Sequence, residues 1–364
     1  MSDYDVVIVG SGPSGSATAL ALHRLAPDIA ERTLMIDLAT FPRPKLCGGG
    51  LTHASERTLR SLDARPEIST VPVDRVELTL PRRQLAVRGQ GLFRVVSRLD
   101  FDAALVARVR DRGATTVHEG EKLLDWEQDA RGVTVRTSRR SYRARVVVGA
   151  DGANSRVRRL LRLPGTHTRM MALEVMLPGT PGREHVASFD FRAVGAGLRG
   201  YYWEFPAVGG GSPMMSAGVI EVAPPAAGER GRLKELLAER LAERGVSLAD
   251  TTLRGHPARW YDPEVGHCAP RFVLVGDAAG TDPFWGDGIA SGLEFGQLAA
   301  TSIVRALRTD DYSFADYAST VRRSRIGRVL RLRRSLGRRF YRRAVPSYLL
   351  FEWGGRRLLR MTNQ

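Results

Sequence analysis

The sequence predicts an α/β protein in which a parallel-sheet domain is interleaved with a second, antiparallel-sheet domain and followed by a C-terminal helical segment. Unbroken apolar runs at residues 6–9, 33–36, 146–148 and 272–275 are typical of strands that a parallel sheet buries on both faces. Residues 73–87 instead alternate between apolar and polar side chains, which indicates antiparallel strands with one face in water. Because the two patterns alternate along the chain, neither domain is continuous in sequence.

Helices connect the buried strands as an α/β domain requires. The small residues of 14–25 predict a helix directly after the first strand, which gives a strand–helix–strand opening. Residues 100–112 return to a helical pattern, with an apolar stripe on one face. Further helices are predicted at 229–244 and 292–307, whereas 170–222 is rich in strands and glycine.

Composition excludes several classes of protein. The chain has 364 residues, 43% of them hydrophobic and 26% charged, so it can bury a sizeable core. Its two cysteines, Cys47 and Cys268, are too few for a disulfide framework or a cysteine-rich metal site. No run approaches the roughly 18 apolar residues of a membrane-spanning helix, and a strand that starts near Asp5 leaves no room for a cleavable signal peptide. We therefore expect a cytoplasmic protein, with association at a membrane surface left open by its charge distribution.

The net charge of +16 is concentrated at the C-terminus. Residues 320–364 hold fourteen arginines and one acid, Glu352, so they contribute +13 and the rest of the chain only +3. The arginines of 322–343 are interspersed with apolar residues at helical spacing, and an aromatic–apolar patch follows at 348–353. Two interpretations stay open: a helical cap packed on the second domain, or peripheral contact of 320–364 with an anionic membrane. Nucleic acid is not an expected partner, because no recognised binding motif accompanies the charge.

The first motif follows the first strand and opens the first helix. In Gly10-Ser-Gly-Pro-Ser-Gly15, the first glycine permits a tight turn, the second lets the backbone approach a pyrophosphate, and the third lets the helix pack close to the sheet. The helix N-terminus then faces the anion. Asp37 ends the second strand, 22 residues after Gly15, where a carboxylate can accept hydrogen bonds from ribose hydroxyls. The predicted dinucleotide-binding positions are Gly10, Gly12, Pro13, Ser14, Gly15 and Asp37.

Two later segments indicate which dinucleotide is bound. Residues 147–152 read Val-Val-Gly-Ala-Asp-Gly, and residues 272–280 read Phe-Val-Leu-Val-Gly-Asp-Ala-Ala-Gly, followed by Pro-Phe-Trp-Gly-Asp-Gly-Ile at 283–289. In this order, along nearly the whole chain, the segments resemble the flavoprotein group that includes p-hydroxybenzoate hydroxylase. The resemblance implies that the cofactor is FAD.

The resemblance also implies roles for individual positions. In that group the Gly-Asp pair after the third buried strand holds the flavin ribityl chain, and the next turn and helix start face the pyrophosphate and the isoalloxazine ring, where a helix dipole favours negative charge. An arginine before a Leu-Asp-Phe-Asp helix start contacts the cofactor. The cofactor-binding positions added in this way are Arg98, Asp151, Gly276, Asp277, Gly286, Gly288 and Ile289.

Pattern and resemblance together predict the domain organisation. A Rossmann-type FAD-binding domain comprises residues 1–72, 94–164 and 267–308. An antiparallel-sheet substrate domain comprises residues 73–93 and 165–266. The basic C-terminal helical segment takes up residues 309–364.

Two more motifs resemble one branch of the group, the geranylgeranyl reductases. The segment 42–51, Pro-Arg-Pro-Lys-Leu-Cys-Gly-Gly-Gly-Leu, resembles their cysteine–glycine loop and adds Cys47, Gly48 and Gly49 to the cofactor site. The segment 201–206, Tyr-Tyr-Trp-Glu-Phe-Pro, resembles the lipid-site motif of archaeal members, although the downstream glycine pair is replaced by Ser-Ala-Gly at 216–218. The substrate pocket is accordingly predicted at Tyr201, Trp203, Phe205, Pro206 and Gly218.

Cys47 has two open interpretations. A thiol among glycines can lie against the flavin, where it could shape the surroundings of the ring or donate a proton, and this makes Cys47 the candidate catalytic residue. A small buried cysteine can equally serve packing alone. No pair of histidines has the spacing of a metal site, so no metal is expected.

The resemblance implies an FAD-dependent oxidoreductase that reduces carbon–carbon double bonds of a hydrophobic, isoprenoid-type substrate by hydride transfer from reduced flavin. The alternative is a flavin-dependent monooxygenase that hydroxylates or epoxidises a hydrophobic or aromatic substrate. Ala279-Gly280 disfavours this alternative, because hydroxylases of the group usually have alanine–histidine there. A non-enzymatic membrane-binding protein with a vestigial flavin fold is a third hypothesis, opposed by the intact phosphate, ribose and ribityl positions. The electron donor, NAD(P)H or a ferredoxin-like protein, stays open, and we expect a monomer.

Overall fold

The computed structural model of the chain describes residues 3–163, 169–196, 198–209, 211–222 and 232–342. These residues form two eight-stranded sheets with helices packed on them. The strands are β1 Asp3–Val9, β2 Thr33–Ile36, β3 Gly50–Leu51, β4 Thr70–Leu80, β5 Arg83–Val96, β6 Thr116–His118, β7 Leu123–Gln128, β8 Val133–Thr137, β9 Ser141–Gly149, β10 Arg169–Pro178, β11 Val186–Asp190, β12 Gly200–Ala207, β13 Met214–Glu221, β14 Arg254–Arg259, β15 Cys268–Ala269 and β16 Phe272–Leu274. The α-helices are α1 Pro13–Leu25, α2 Pro27–Glu31, α3 His53–Ser61, α4 Arg98–Asp111, α5 Arg156–Leu161, α6 Arg232–Ala242, α7 Gly288–Thr309, α8 Tyr317–Arg323 and α9 Arg325–Arg342.

Five parallel strands form the centre of the first sheet, in the order β16-β9-β1-β2-β6. The side chains of Val6, Val7 and Ile8 in β1 are fully buried, as an unbroken apolar run requires of a strand covered on both faces. Helix α1 packs against α4 and against the long α7. The antiparallel strands β7 and β8 extend the sheet from β9. The prediction of a parallel α/β domain is confirmed.

The second sheet has the order β14-β10-β13-β12-β11-β4-β5-β3. Its strands pair antiparallel except at β4 and β11, which run parallel. Helix α6 packs on this sheet beside β10 and β13, and its Leu237 and Leu241 are fully buried there. The predicted antiparallel second domain is therefore present, with one parallel pair that the alternating pattern alone did not reveal.

Strand pairing places parts of the predicted FAD-binding domain in the second sheet. Residues 50–51 pair with the end of β5, so this short strand belongs to the second sheet. Residues 70–72 and 94–96 also lie in the second sheet, because β4 begins at Thr70 and β5 continues to Val96. The predicted boundaries followed the alternation of side chains, whereas the strands continue for as long as their backbone groups find partners.

The C-terminal segment packs on the body of the protein as far as Tyr341. Ile326, Leu330, Phe340 and Tyr341 form a buried stripe along α9, which is the arrangement expected of a helical cap. No helix in the described ranges is long and apolar enough to cross a bilayer. The predicted aromatic–apolar patch at 348–353 lies outside the residues that the structure describes.

Candidate functional site

A cavity of about 1060 Å³ runs between the two sheets. Glycines and polar groups at the ends of the first sheet's strands line one part, which we call the cofactor half. Aromatic and aliphatic side chains, mainly of the second sheet, line the other part, which we call the chamber. The volume lies at the upper limit of ordinary small-molecule sites, so the cavity has room for a large cofactor and a substrate together.

The glycine loop after β1 places an open helix end in the cofactor half. Gly10 has φ +105°, and a Cβ on it would lie 2.4 Å from the carbonyl oxygen of Ala150. A Cβ on Gly15 would lie 1.9 Å from the carbonyl oxygen of Gly10, so Gly15 serves the packing of α1. Gly12, the N-cap residue, lines the cavity, and a Cβ there would meet only Arg43 at 3.6 Å. No side chain caps α1, so its first N–H groups are left for an anion.

Asp37 follows β2 and lies beside this loop. Its two carboxylate oxygens accept hydrogen bonds from the backbone N–H groups of Ser11, at 2.6 Å, and Ala39, at 2.8 Å. These bonds fix the orientation of the carboxylate, and each oxygen keeps a lone pair for another donor. Asp37 lines the cavity, in the position that a ribose-binding carboxylate requires.

The segment that connects β16 to α7 also lines the cofactor half. Gly276 has φ +56°, and a Cβ on it would lie 2.6 Å from the hydroxyl of Ser14, so only glycine fits between the two helix starts. Asp277, Gly286, Gly288 and Ile289 follow along the cavity wall. The 22-residue helix α7 starts at this part of the cavity wall, and its N-cap residue Asp287 accepts a hydrogen bond from the backbone N–H of Ala290 at 3.2 Å. An uncapped helix start, an oriented carboxylate and a second helix start together fit a dinucleotide.

Two predicted cofactor residues have their charged groups engaged by the protein itself. The Nε and Nη2 atoms of Arg98 donate to the two oxygens of Asp102, at 2.7 and 2.8 Å, and Arg43 pairs with the same carboxylate at 3.1 Å. The Asp151 carboxylate accepts from the Ser155 hydroxyl and from two backbone N–H groups at the start of α5. Both side chains line the cavity. The structure gives Asp151 a helix-capping role that its motif did not reveal.

The cysteine–glycine loop lies against the second sheet. A Cβ on Gly48 would approach the Phe205 ring to 2.8 Å, and Gly49, with φ +71°, lies against the carbonyl of Val96. The Cys47 sulfur lines the cavity, accepts from the Gly49 N–H at 3.4 Å and lies beside Arg98. These close contacts explain why the loop is built from glycine.

A buried carboxylate that sequence reasoning missed anchors this loop. Glu174 on β10 accepts hydrogen bonds from the backbone N–H of Cys47 and from the Ser216 hydroxyl, the latter at 2.5 Å. Ser216 in turn accepts from the indole N–H of Trp203 at 3.1 Å. Burial raises the pKa of Glu174 above its usual range. The chain of bonds ties the cysteine loop to the chamber wall.

The chamber owes its aromatic wall to the period-2 alternation of β12. Tyr201, Trp203 and Phe205 point into the cavity, and the Tyr201 hydroxyl donates to the carbonyl oxygen of Trp285 at 2.5 Å. Pro206 lies on the opposite face and lines a separate, smaller cavity. Gly218 does not line the main cavity either, because it lies behind Trp203, where a Cβ would come within 2.3 Å of the indole ring. The predicted pocket therefore loses Pro206 and Gly218 as lining residues.

Helix α9 completes the chamber, which sequence reasoning did not predict. Leu332, Leu336 and Phe340 line the cavity. The backbone of Gly337 lies close to Pro283, since a Cβ there would be 2.9 Å from the Pro283 carbonyl oxygen. The apolar stripe had been visible in the sequence, but its spacing does not say which surface it covers.

Comparison with known proteins agrees with this geometry. The family model described as "FAD binding domain" matches residues 3–190, which is more than half of the chain. Digeranylgeranylglycerophospholipid reductase 1 of Methanopyrus kandleri is 30% identical over 85% of this chain and 83% of its own length. The chain belongs to the geranylgeranyl reductase family of FAD-binding flavoproteins. It is an FAD-dependent oxidoreductase.

Further known proteins are similar to this chain in sequence or in fold. Menaquinone reductase of Mycolicibacterium smegmatis is 28% identical over 85% of this chain and 78% of its own length. The solved structure of a geranylgeranyl bacteriochlorophyll reductase-like protein from Thermoplasma acidophilum superposes with a TM-score of 0.77 and 24% identity, covering 94% of this chain and 88% of that one. The probable FAD-dependent monooxygenase PqsL from Pseudomonas aeruginosa shares the fold, with a TM-score of 0.68, 20% identity and coverage of 93% and 96%.

Proposed function

We propose that this flavoprotein reduces carbon–carbon double bonds of a hydrophobic, isoprenoid-type substrate. The observation that carries the proposal is the continuity of the cavity: the cofactor half opens directly into a chamber with aromatic and aliphatic walls. One relative is named as a reductase of digeranylgeranylglycerophospholipid and another as a reductase of menaquinone. These names support an isoprenoid-type substrate. The cofactor, when bound and reduced, supplies the hydride.

The protein contributes binding, orientation and exclusion of water. Gly12 and the start of α1 would hold the pyrophosphate, Asp37 the ribose and Asp277 the ribityl chain, since each lines the cofactor half. Phe205 and Trp203 confine an apolar chain within the chamber. Holding the alkene beside the cofactor in a dry cavity converts a bimolecular step into an effectively unimolecular one.

The test is to reduce the purified protein without oxygen and to ask what reoxidises it. Dithionite serves as reductant, which keeps the experiment independent of whether NAD(P)H or a ferredoxin-like protein is the natural donor. A geranylgeranyl lipid should restore the oxidised flavin spectrum and yield a product heavier by two hydrogens per double bond. The saturated phytanyl lipid is the matched control and should leave the spectrum unchanged. Reoxidation by oxygen alone, coupled to a hydroxylated or epoxidised lipid, would instead favour the monooxygenase alternative.

We also propose that the exposed face of α9 contacts an anionic membrane around the mouth of the chamber. Leu332 lines the cavity and is still 49% exposed, so it marks the mouth. Four exposed arginines surround it along the helix, and none of them pairs with a carboxylate in the part of the chain that the structure describes: Arg328, Arg331, Arg338 and Arg339. Arginine near an anionic lipid surface contributes about 1 kcal/mol of binding each.

Flotation on vesicles tests this surface. The wild-type protein should float with vesicles that contain phosphatidylglycerol and be released at high salt. Replacing Arg328, Arg331, Arg338 and Arg339 together by glutamine should abolish flotation while FAD stays bound. The control variant removes the same charge from exposed arginines outside α8 and α9, namely Arg60, Arg82, Arg88 and Arg131. Equal loss of flotation in both variants would mean that binding depends only on the net charge of the protein. That result would contradict the proposal that α9 forms the membrane-binding surface.

A further inference from the structure

A lysine and a histidine meet in the cavity wall, although they are 211 residues apart in sequence. The Nζ atom of Lys45 is in direct contact with Nε2 of His256, and both side chains line the cavity. Lys45 comes from the cysteine–glycine loop and His256 from strand β14 at the edge of the second sheet. The pair therefore joins the cofactor half to the chamber.

The position of the pair is set by the register of the second sheet. His256 pairs with Ala172, and Ala258 pairs with Met170, and all four of these side chains face the cavity. His256 is thus a titratable group in an apolar part of the wall. The hydroxyl of Tyr201 is engaged by a backbone carbonyl, and burial raises the pKa of Tyr201, so this phenol keeps its proton.

Lys45 lies close to two arginines, Arg43 and Arg98, and differs from them in its ion pairing. Arg43 and Arg98 share the carboxylate of Asp102. Lys45 makes no ion pair among the residues that the structure describes, although Asp277 lies near enough to favour its charge. Burial lowers the pKa of Lys45 to about 8, and the positive charges of Arg98 and Arg43 act in the same direction. Asp277 and Cys47 act in the opposite direction but do not cancel the effect.

We propose that Lys45 is the proton donor of the double-bond reduction and that His256 positions it. The inference rests on the proposed function. The alkene gains two electrons and one hydrogen as hydride from the reduced cofactor, and the second hydrogen as a proton. An N–H bond of the Lys45 ammonium breaks as the new C–H bond forms, which leaves Lys45 neutral until water reprotonates it.

His256 acts by accepting a hydrogen bond from the ammonium. Burial and the neighbouring cations Lys45, Arg98 and Arg43 lower the pKa of His256 to about 4, so at neutral pH its ring is uncharged and can accept at Nε2. The acceptor holds one N–H of Lys45 and thereby orients the other two. A general acid whose pKa lies close to the working pH is the efficient kind.

The chain is unusually suited to a direct measurement, because it contains only three lysines: Lys45, Lys122 and Lys234. With isotope-labelled lysine in the FAD-loaded protein, NMR should show three side-chain signals, assigned by single substitutions. The Lys45 signal should titrate near pH 8. An ordinary titration of Lys45 near pH 10 would overturn the proposal.

The reoxidation rate with a geranylgeranyl lipid separates proton donation from charge alone. Lys45→Met should slow this step by about 100-fold or more while FAD content stays normal. Lys45→Arg keeps the positive charge, but a guanidinium does not release its proton at neutral pH. The reoxidation rate of this variant should therefore be as low as that of Lys45→Met. His256→Leu should also slow the step, and His256→Gln, which retains an acceptor, should recover most of the rate. Lys234→Met is the control and should behave as the wild type.

The pH profile supplies a further check. The wild-type rate should fall as pH rises through about 8, because Lys45 then loses its proton, and this decline should be absent in Lys45→Met. Restoration of the rate by Lys45→Arg would overturn proton donation and leave an electrostatic role. If the reduced wild-type protein fails to react with any alkene lipid, the proposed function falls, and this inference falls with it.

Discussion

Gly12 and Gly15 lie three residues apart in the first loop and have different roles. Gly12 has φ −65° and ψ −175°, which any residue can adopt, and its Cβ position is open. Gly15 is closed off by the carbonyl oxygen of Gly10. The first glycine therefore keeps space for the cofactor, and the second keeps the helix against the sheet.

Substitution by valine should separate these two roles. Gly12→Val should leave the free energy of unfolding of the FAD-free protein within about 1 kcal/mol of wild type but abolish FAD binding, since the side chain occupies the approach of the pyrophosphate. Gly15→Val should lower the free energy of unfolding by about 2 kcal/mol or more. Denaturant titration and flavin absorbance measure the two effects. Normal flavin content in Gly12→Val would show that the cofactor site is wrongly placed.

His256 should make stability depend on pH in a defined window. Its pKa is about 4 in the folded protein, chiefly through burial, and about 6.5 when unfolded. Between these values the unfolded chain binds more protons, so stability falls as pH falls from about 6.5 to about 4. Because the ring is only partly buried, solvent screening reduces the expected contribution to about 1–2 kcal/mol.

The measurement compares His256→Gln with the wild type. The wild-type protein should lose more stability than the variant between pH 7 and pH 4.5, as followed by denaturant unfolding. His185→Gln, at an exposed histidine, controls for the loss of an imidazole. Parallel pH dependence in wild type and His256→Gln would contradict the burial of a neutral His256.

Among the elements, α9 is held to the body by two ion pairs. Nη1 of Arg333 lies 2.6 Å from the fully buried carboxylate of Asp282, and Nη2 of Arg334 lies 2.5 Å from Asp262. The Tyr341 hydroxyl donates to the carbonyl oxygen of Phe284. All three contacts hold α9, which lines the chamber, against residues close to the segment between β16 and α7. The chamber wall and the cofactor half are therefore in direct contact.

Breaking the buried pair should therefore be costly. Arg333→Met leaves the Asp282 carboxylate buried and unpaired, which should lower the free energy of unfolding by about 3–5 kcal/mol. Arg338→Met, on the exposed face of the same helix, should change it by no more than about 0.5 kcal/mol. The double variant Asp282→Asn with Arg333→Met should recover part of the loss, because no charge then stays buried without a partner. A small effect in all three would show that α9 contributes little to stability.

In the molecule as a whole, the cofactor site joins the two sheets. Its glycine loop and Asp37 come from the first sheet, whereas the cysteine loop continues into β3 of the second. A ligand bound across both sheets stabilises the folded state of both. FAD at about 1,000 times its Kd should raise the free energy of unfolding by about 4 kcal/mol.

Thermal unfolding tests this coupling. The midpoint should rise with FAD concentration, and circular dichroism and flavin fluorescence should report a single transition. Two transitions, with only one of them sensitive to FAD, would contradict a site built by both sheets.

The sequence by itself determined whatever depends on neighbours along the chain. Unbroken apolar runs identified the strands of the first sheet, and the spacing from Gly10 to Asp37 identified the dinucleotide loop, because a tight turn and a helix start are local structures. The cysteine–glycine loop was predicted from its resemblance to the geranylgeranyl reductases, and its Gly48 and Gly49 are required by close contacts with Phe205 and Val96, which are distant in sequence. Tyr201, Trp203 and Phe205 were predicted from the resemblance of 201–206 to a lipid-site motif, and the period-2 geometry of β12 places them on one face of the strand and Pro206 on the other.

Only the tertiary structure decided which of these faces meet. Lys45 with His256, Glu174 with the Cys47 loop, and Arg333 with Asp282 are contacts between segments distant in sequence. A periodicity of 2 or 3.6 residues says that a strand or helix has an apolar face but not which partner covers it. The apolar stripe of α9 could have faced a membrane or the protein, and it covers the chamber because its ion pairs and Gly337 let the helix approach the cofactor segment.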